Sequence, residues 1–182
     1  MQLSEPALRI LERALDIEDV DRLSILKQIL ELHEKHQRHT EQLSILDEIS
    51  DIAQTEQDNE MLFMVDYNRA RALVNIGRDT EAINYFERAI GLSPKDIAPY
   101  RELARTAERS VNLQSATEVL ERALANTEKH GEIYDLMGEL YMRNQSYEKA
   151  IDCYEKARGL SPKNTEFLFK LGTIYMLSLI HI

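Results

Sequence analysis

The chain has 182 residues, 43% hydrophobic and 30% charged, with one Cys, six Gly and four Pro; this is the size of one ordinary domain, with few turn-formers for a β protein. A formal net charge of −10 argues against a phosphate-neutralising grip on duplex nucleic acid and against docking on anionic lipid. The lone Cys excludes an internal disulfide, and no stretch has the roughly 20 apolar residues of a membrane-spanning helix.

The N-terminus, Met1-Gln2-Leu3-Ser4-Glu5-Pro6, has neither a basic start nor an apolar run. It does not read as a secretory signal, and with Met1 as the start a cytoplasmic location is expected. Residues 5–16 read as a helix, and their pentamer Leu11-Glu12-Arg13-Ala14-Leu15 recurs identically at residues 120–124. Glu18 and Asp19 stand where acids favour a helix macrodipole. Two further helices are expected at about 19–37 and 41–57. Leu23, Leu26, Ile29 and Leu30 give the first an apolar face, and Leu43, Leu46, Ile49, Ile52 and Ala53 the second. Residues 1–60 hold 15 Asp and Glu against 6 Lys and Arg, whereas residues 61–182 hold 17 against 16, so the acidity belongs to the N-terminal third.

Beyond residue 60 a period of 34 emerges. Gly91-Leu92-Ser93-Pro94-Lys95 is repeated as Gly159-Leu160-Ser161-Pro162-Lys163, two periods later. Ala82, Ala116 and Ala150 are each followed after four residues by Phe86, Leu120 and Tyr154, and after seven by Ala89, Ala123 and Ala157. A small–large–small stripe at these offsets is one helix face. A preceding helix carries Tyr134, Met137, Gly138 and Tyr141, repeated as Leu168, Leu171, Gly172 and Tyr175. Gly costs a helix about 1 kcal/mol relative to Ala, so its recurrence points to close helix packing.

This pattern resembles the tetratricopeptide repeat, a helix–turn–helix of 34 residues. Gly138, Tyr141, Ala150, Tyr154, Ala157 and Pro162 carry the resemblance most fully. Ala70 and Leu73 replace the first-helix Gly and aromatic of one repeat, and Glu128 replaces the Pro of the next. The resemblance implies an all-α fold, a right-handed α-solenoid of antiparallel helix hairpins. Residues 1–60 are expected to form irregular helices of that type. Residues 61–176 are expected to form the array, with repeats at 63–96, 97–130 and 131–164 and the first helix of another at 165–176.

The resemblance also implies that the first helices line a concave groove for a partner. Tyr67, Asn68, Arg71 and Asn75 would face it from one repeat. Arg101, Glu102, Arg105 and Arg109 would come from the next, Asp135, Glu139, Met142 and Arg143 from the third, and Phe169 and Lys170 from the last helix. Arg101, Arg105 and Arg109 form one ridge, and guanidinium forks match carboxylates, so an acidic or extended segment of another protein is an expected ligand. Pairing of these cations with neighbouring acids is the alternative. The Lys/Asn/Lys/Arg clamp of the chaperone-binding members is not reproduced.

His33, His36 and His39 recur every third residue, a spacing that spreads them around a helix, so a solvated polar face is expected rather than a metal site. Cys153 is expected to be a small packing residue. No phosphate loop, nucleophile elbow, zinc-protease or calcium-loop motif occurs, so no catalytic residue, metal or cofactor is expected. The expected function is an interaction scaffold; the alternative is the regulatory array of a larger enzyme or signalling protein. Residues 177–182, Leu-Ser-Leu-Ile-His-Ile, are the translation of the codon string CTG TCT CTT ATA CAC ATC, which resembles a transposon-end sequencing adapter. They are therefore expected to be a non-native tail, with the native protein continuing past Met176 and the apolar last helix prone to self-association.

Overall fold

The computed structural model describes residues 4–17 and 20–180, with side chains from Glu5 to Leu177 within that range. The Glu18-Asp19 pair and the side chains of the tail beyond Leu177 lie outside the described residues. Ten α-helices are present among them and no strand: α1 (Ser4–Ala14), α2 (Arg22–Lys35), α3 (His39–Glu56), α4 (Asn59–Asn75), α5 (Asp79–Leu92), α6 (Ile97–Ser110), α7 (Leu113–Asn126), α8 (His130–Arg143), α9 (Tyr147–Leu160) and α10 (Glu166–Ile180).

Local chemistry sets where the helices begin. Asp58 accepts from the backbone N–H groups of Glu60 and Met61, both at 3.0 Å, and so starts α4. Asp21 does the same for Ser24, Asp96 for Ala98, Asn112 for Ser115 and Asn164 for Glu166. Each side-chain oxygen satisfies N–H groups that the first helical turn leaves without a partner. The turns are also alike. Gln37, Gly77 and Gln145 adopt left-handed backbone, with φ of 55°, 79° and 57°. The next residue's N–H then reaches five residues back: Arg38 to His33, Arg78 to Leu73 and Ser146 to Tyr141, each at 2.9 Å. This closure satisfies the last carbonyls of α2, α4 and α8 and folds the chain into a hairpin.

The chain forms two compact units, residues 1–93 and 94–182. In the first, α1 to α5 pack in sequence order. Leu26 and Leu30 of α2 meet Leu46, Ile49 and Ala53 of α3 and Met61 and Val65 of α4 in one core. In the second, α6 to α10 pack in the same way. There Ala150, Tyr154 and Ala157 of α9 meet Phe167, Leu171 and Ile174 of α10. Tyr100 of α6 is fully buried; its hydroxyl donates to the Pro94 carbonyl at 3.2 Å and accepts from Asn126 Nδ2 at 3.0 Å.

The stripes read from the sequence are the inner faces of α5, α7 and α9. Ala82, Phe86 and Ala89, Ala116, Leu120 and Ala123, and Ala150, Tyr154 and Ala157 are all buried. Gly138 is where α8 approaches α9: a Cβ there would lie 2.6 Å from the Tyr154 ring. The close approach is therefore helix backbone to aromatic face. At Gly172, one period on, a Cβ would meet nothing within 4 Å.

Candidate functional site

In the first unit, α4 carries Tyr67, Asn68, Arg71 and Asn75. Asn68, Arg71 and Asn75 line a cavity of about 330 Å³ with Leu30, Glu34, Gln37, His39 and Gln42 of the preceding hairpin. Arg71 Nη1 donates to Glu34 Oε1 at 3.2 Å, so its charge is matched at the rim. Tyr67 does not line this space. It stacks on Phe63 with ring centroids 6.1 Å apart and tilts against Phe86. The α2 and α3 contributions were not legible in the sequence, because the first 60 residues do not keep the 34-residue spacing.

In the second unit, the first-helix face of α6, α8 and α10 is laced by ion pairs. Arg101 pairs with Glu132 and Arg105 with Glu102. Arg143 Nη2 lies 2.6 Å from Glu108 Oε2, and its Nε reaches both oxygens of that carboxylate. Asn144 Nδ2 donates to the same group at 2.8 Å. Lys170 Nζ contacts Asp135 at 2.6 Å, Glu139 at 3.2 Å and Glu166 at 3.2 Å. Burial works against the Lys170 charge, but the hydrogen bonds to these carboxylates outweigh it and raise its pKa. Burial likewise raises the Asp135 carboxyl, with Lys170 pulling it back. Arg109 lies exposed in the last turn of α6.

Arg101 and Arg105 of the ridge expected to receive an acidic ligand, with Arg143 and Lys170, thus face acids of their own or neighbouring helices. Arg101, Arg105 and Arg143 share a crevice of only about 10 Å³ with Leu136 and Glu139. A larger space of about 290 Å³ opens between α8 and α10, lined by Glu139, Met142, Arg143, Tyr154, Phe169, Lys170 and Thr173. Phe169 is 78% exposed there, whereas Lys170 is only 18% exposed. Met142, Arg143 and Lys170 line this space together, and Arg101 and Arg105 meet Arg143 in the smaller crevice.

The remaining candidates resolve into packing. His33 is buried rather than on a solvated face, and burial lowers its pKa; it lies on the α2 side that meets its neighbours. His39 exchanges a 2.9 Å hydrogen bond with Gln42. No group of three metal-ligating side chains occurs among the described residues. Cys153 is buried, and burial pushes its thiol up to about 11, so it stays protonated at neutral pH and is a poor nucleophile. One charged cluster was not anticipated. Asp66 of α4 is buried with Arg88 Nε at 3.1 Å, and Arg69 donates to Asp47 at 2.6 Å. The Arg69 and Arg88 guanidiniums lie 5.1 and 5.2 Å from the Tyr85 ring centroid. Nothing in the 34-residue pattern marks these positions.

No helix among the described residues is long and apolar enough to cross a membrane. Two family models match the chain, "Tetratricopeptide repeat" over residues 67–96 and "TPR repeat" over residues 138–178. The chain is 31% identical over 107 residues to the BBSome complex member BBS4 of Bos taurus, covering 59% of this chain and 20% of that protein. It is 31% identical over 98 residues to the photosystem I assembly protein Ycf3 of Prochlorococcus marinus (strain NATL2A), covering 54% of this chain and 50% of that one. The chain thus spans a fifth to a half of the length of these curated relatives. Among solved structures, BtubC from P. vanneervenii superimposes with a TM-score of 0.70 at 17% identity over 96% of this chain and 81% of that one. A thermophilic TPR protein of Thermus thermophilus does so with 0.60 at 19% identity over 95% and 91%. At such identity these two establish the fold alone, the helical solenoid. The repeat models, the 34-residue period and the buried stripes together make the chain a tetratricopeptide-repeat protein.

Proposed function

We propose that the chain is a non-catalytic interaction scaffold that seats an extended segment of a partner protein between α8 and α10, with an apolar side chain of that segment on Met142, Phe169 and Thr173. The observation that carries this reading is the exposure of Phe169 at the edge of a cavity whose neighbouring cations are already matched by acids. Burying an aromatic or aliphatic side chain there contributes about 1.5–3 kcal/mol, while ion pairs at this exposure contribute roughly 1 kcal/mol or less. The anchor is thus apolar, and Arg143 and Lys170 frame it. The printed names of the two curated relatives, a complex member and an assembly protein, agree with a scaffold role.

The test is selection of binders from a random peptide library, followed by affinity measurement against Met142→Ser and Phe169→Ser. Enriched peptides should share a large apolar residue and lose affinity about tenfold or more in either variant, which corresponds to about 1.4 kcal/mol. Peptides enriched only in acidic residues, and weakened by Arg101→Glu and Arg105→Glu instead, would return recognition to the guanidinium ridge.

A further inference from the structure

The first unit holds a second open space besides the cavity that Asn68, Arg71 and Asn75 line. α2 and α4 both pack on α3. Between them runs a groove of about 520 Å³, lined by Lys27, Leu30, Glu31 and Glu34 of α2, by Asp58, and by Glu60, Met61 and Met64 of α4. Its floor is apolar: Leu30 and Met61 belong to the buried core, and Met64 packs against it. Its rim is acidic, with four carboxylates against the single Lys27 ammonium.

These acids are less fully matched than those around Lys170. Glu34 meets Arg71, but Glu31 and Glu60 have no cation partner among the described residues. Asp58 uses Oδ1 on the N–H groups of Glu60 and Met61, which leaves Oδ2 to another donor. Carboxylates held near one another by fixed helices repel, and a cation brought among them relieves the repulsion. The acidity of residues 1–60 adds a field of the same sign.

An apolar floor under an acidic rim fits one kind of side chain. Lys and Arg lay their methylene stems on apolar surface and keep the charged head at the water's edge. Met, unbranched and polarizable, adapts to such stems. Leu30 and Glu34 also line the neighbouring 330 Å³ cavity, so the two spaces adjoin. In that cavity the side-chain amides of Gln37, Asn68 and Asn75 have no hydrogen-bond partner among the described residues. Each offers a donor and an acceptor, the pair that extended backbone presents at every residue. A metal ion or a free amine would use the acceptors alone.

We propose that the first unit seats a basic, extended segment of another protein in this groove. A Lys or Arg stem of that segment lies on Met61 and Met64, with its charge among Glu31, Asp58 and Glu60. The adjoining backbone bonds to Gln37, Asn68 and Asn75. This seat does not rest on the one between α8 and α10 and differs from it in chemistry, since here the unmatched charge belongs to the groove.

Selection from a random peptide library tests this, using the full chain with Phe169→Ser so that the seat between α8 and α10 does not contribute. Enriched peptides should carry Lys or Arg, and their affinity should fall as salt rises. Glu31→Lys with Glu60→Lys should weaken them about tenfold or more, and the neutral pair Glu31→Gln with Glu60→Gln should weaken them less. Glu128→Lys with Glu148→Lys makes the same change in net charge at exposed positions outside the groove and should leave affinity nearly unchanged. All variants should keep the helical circular dichroism spectrum of wild type. Enriched peptides that lack a cation overturn the proposal. So does an equal loss in the Glu128 and Glu148 variant, which would mean attraction to the overall negative charge. Failure to enrich any peptide overturns it as well and leaves the α8–α10 reading untouched, because that reading is tested on a chain with Phe169 intact.

Discussion

Two glycines at equivalent positions separate packing from propensity. Gly138 and Gly172 share their place in the repeat, yet only Gly138 has an aromatic ring where a Cβ would go. Gly138→Leu should therefore lower the thermal midpoint, by an overpacking cost of about 1–3 kcal/mol, while Gly172→Leu should not, since it gains helix propensity and meets nothing. Equal melting of the two variants would refute the distinction. Asp66 gives a second residue-scale prediction. Burial holds its carboxyl above the ordinary range, and Arg88 and Arg69 pull it back only in part. The folded state then binds the proton more tightly than the unfolded state, so ionised Asp66 costs stability above its folded pKa and the cost is relieved as pH falls through it. In urea titrations from neutral to mildly acidic pH, the stability of Asp66→Asn relative to wild type should shrink as the pH drops. A difference independent of pH would mean that Asp66 titrates as an exposed carboxylate. At this scale the sequence was half legible. The alanine stripes could be read because the same steric problem recurs every 34 residues. Asp66, Arg69, Arg88 and the burial of His33 could not, because each solves a contact that occurs once.

At the scale of the helix, the ion pairs change the meaning of the basic ridge. Glu108 on α6 meets Arg143 on α8, 35 residues later, and Asp135 on α8 meets Lys170 on α10 at the same separation. These are rungs between first helices of successive hairpins, made at different positions of the repeat. A double-mutant cycle on Glu108→Ala and Arg143→Ala, read by denaturant midpoint, should give a coupling of roughly 0.2–1 kcal/mol. No measurable coupling would show the pair to be an ornament of the surface. The sequence carried both the groove residues and the alternative that acids pair with them; the placement of α6 against α8 supplies the pairing acids. Spacing along one helix identifies a ridge, but the neighbour across the gap determines its charge. The signals that set the helix ends, in contrast, are local: Asp58, Asp96 and Asn112 at the starts and left-handed Gln37, Gly77 and Gln145 in the turns.

For the whole molecule, the substantial helix packings among the described residues all join neighbours in sequence, α1 with α2 through α4 with α5 in the first unit and α6 with α7 through α9 with α10 in the second. A chain built this way closes only short loops as it folds, and loop-closure entropy grows with loop length. Each hairpin can form as soon as its two helices exist, without waiting for a distant strand or a far terminus. Folding is then fast for a chain of this length, as expected of low contact order. Damage also stays local: an opened turn removes one hairpin's contribution and its two borders, and the rest keeps its own. During synthesis, the first unit can complete its core while residues beyond Ser93 are still emerging. A chain made in this order folds in instalments, each hairpin closing behind the one before it.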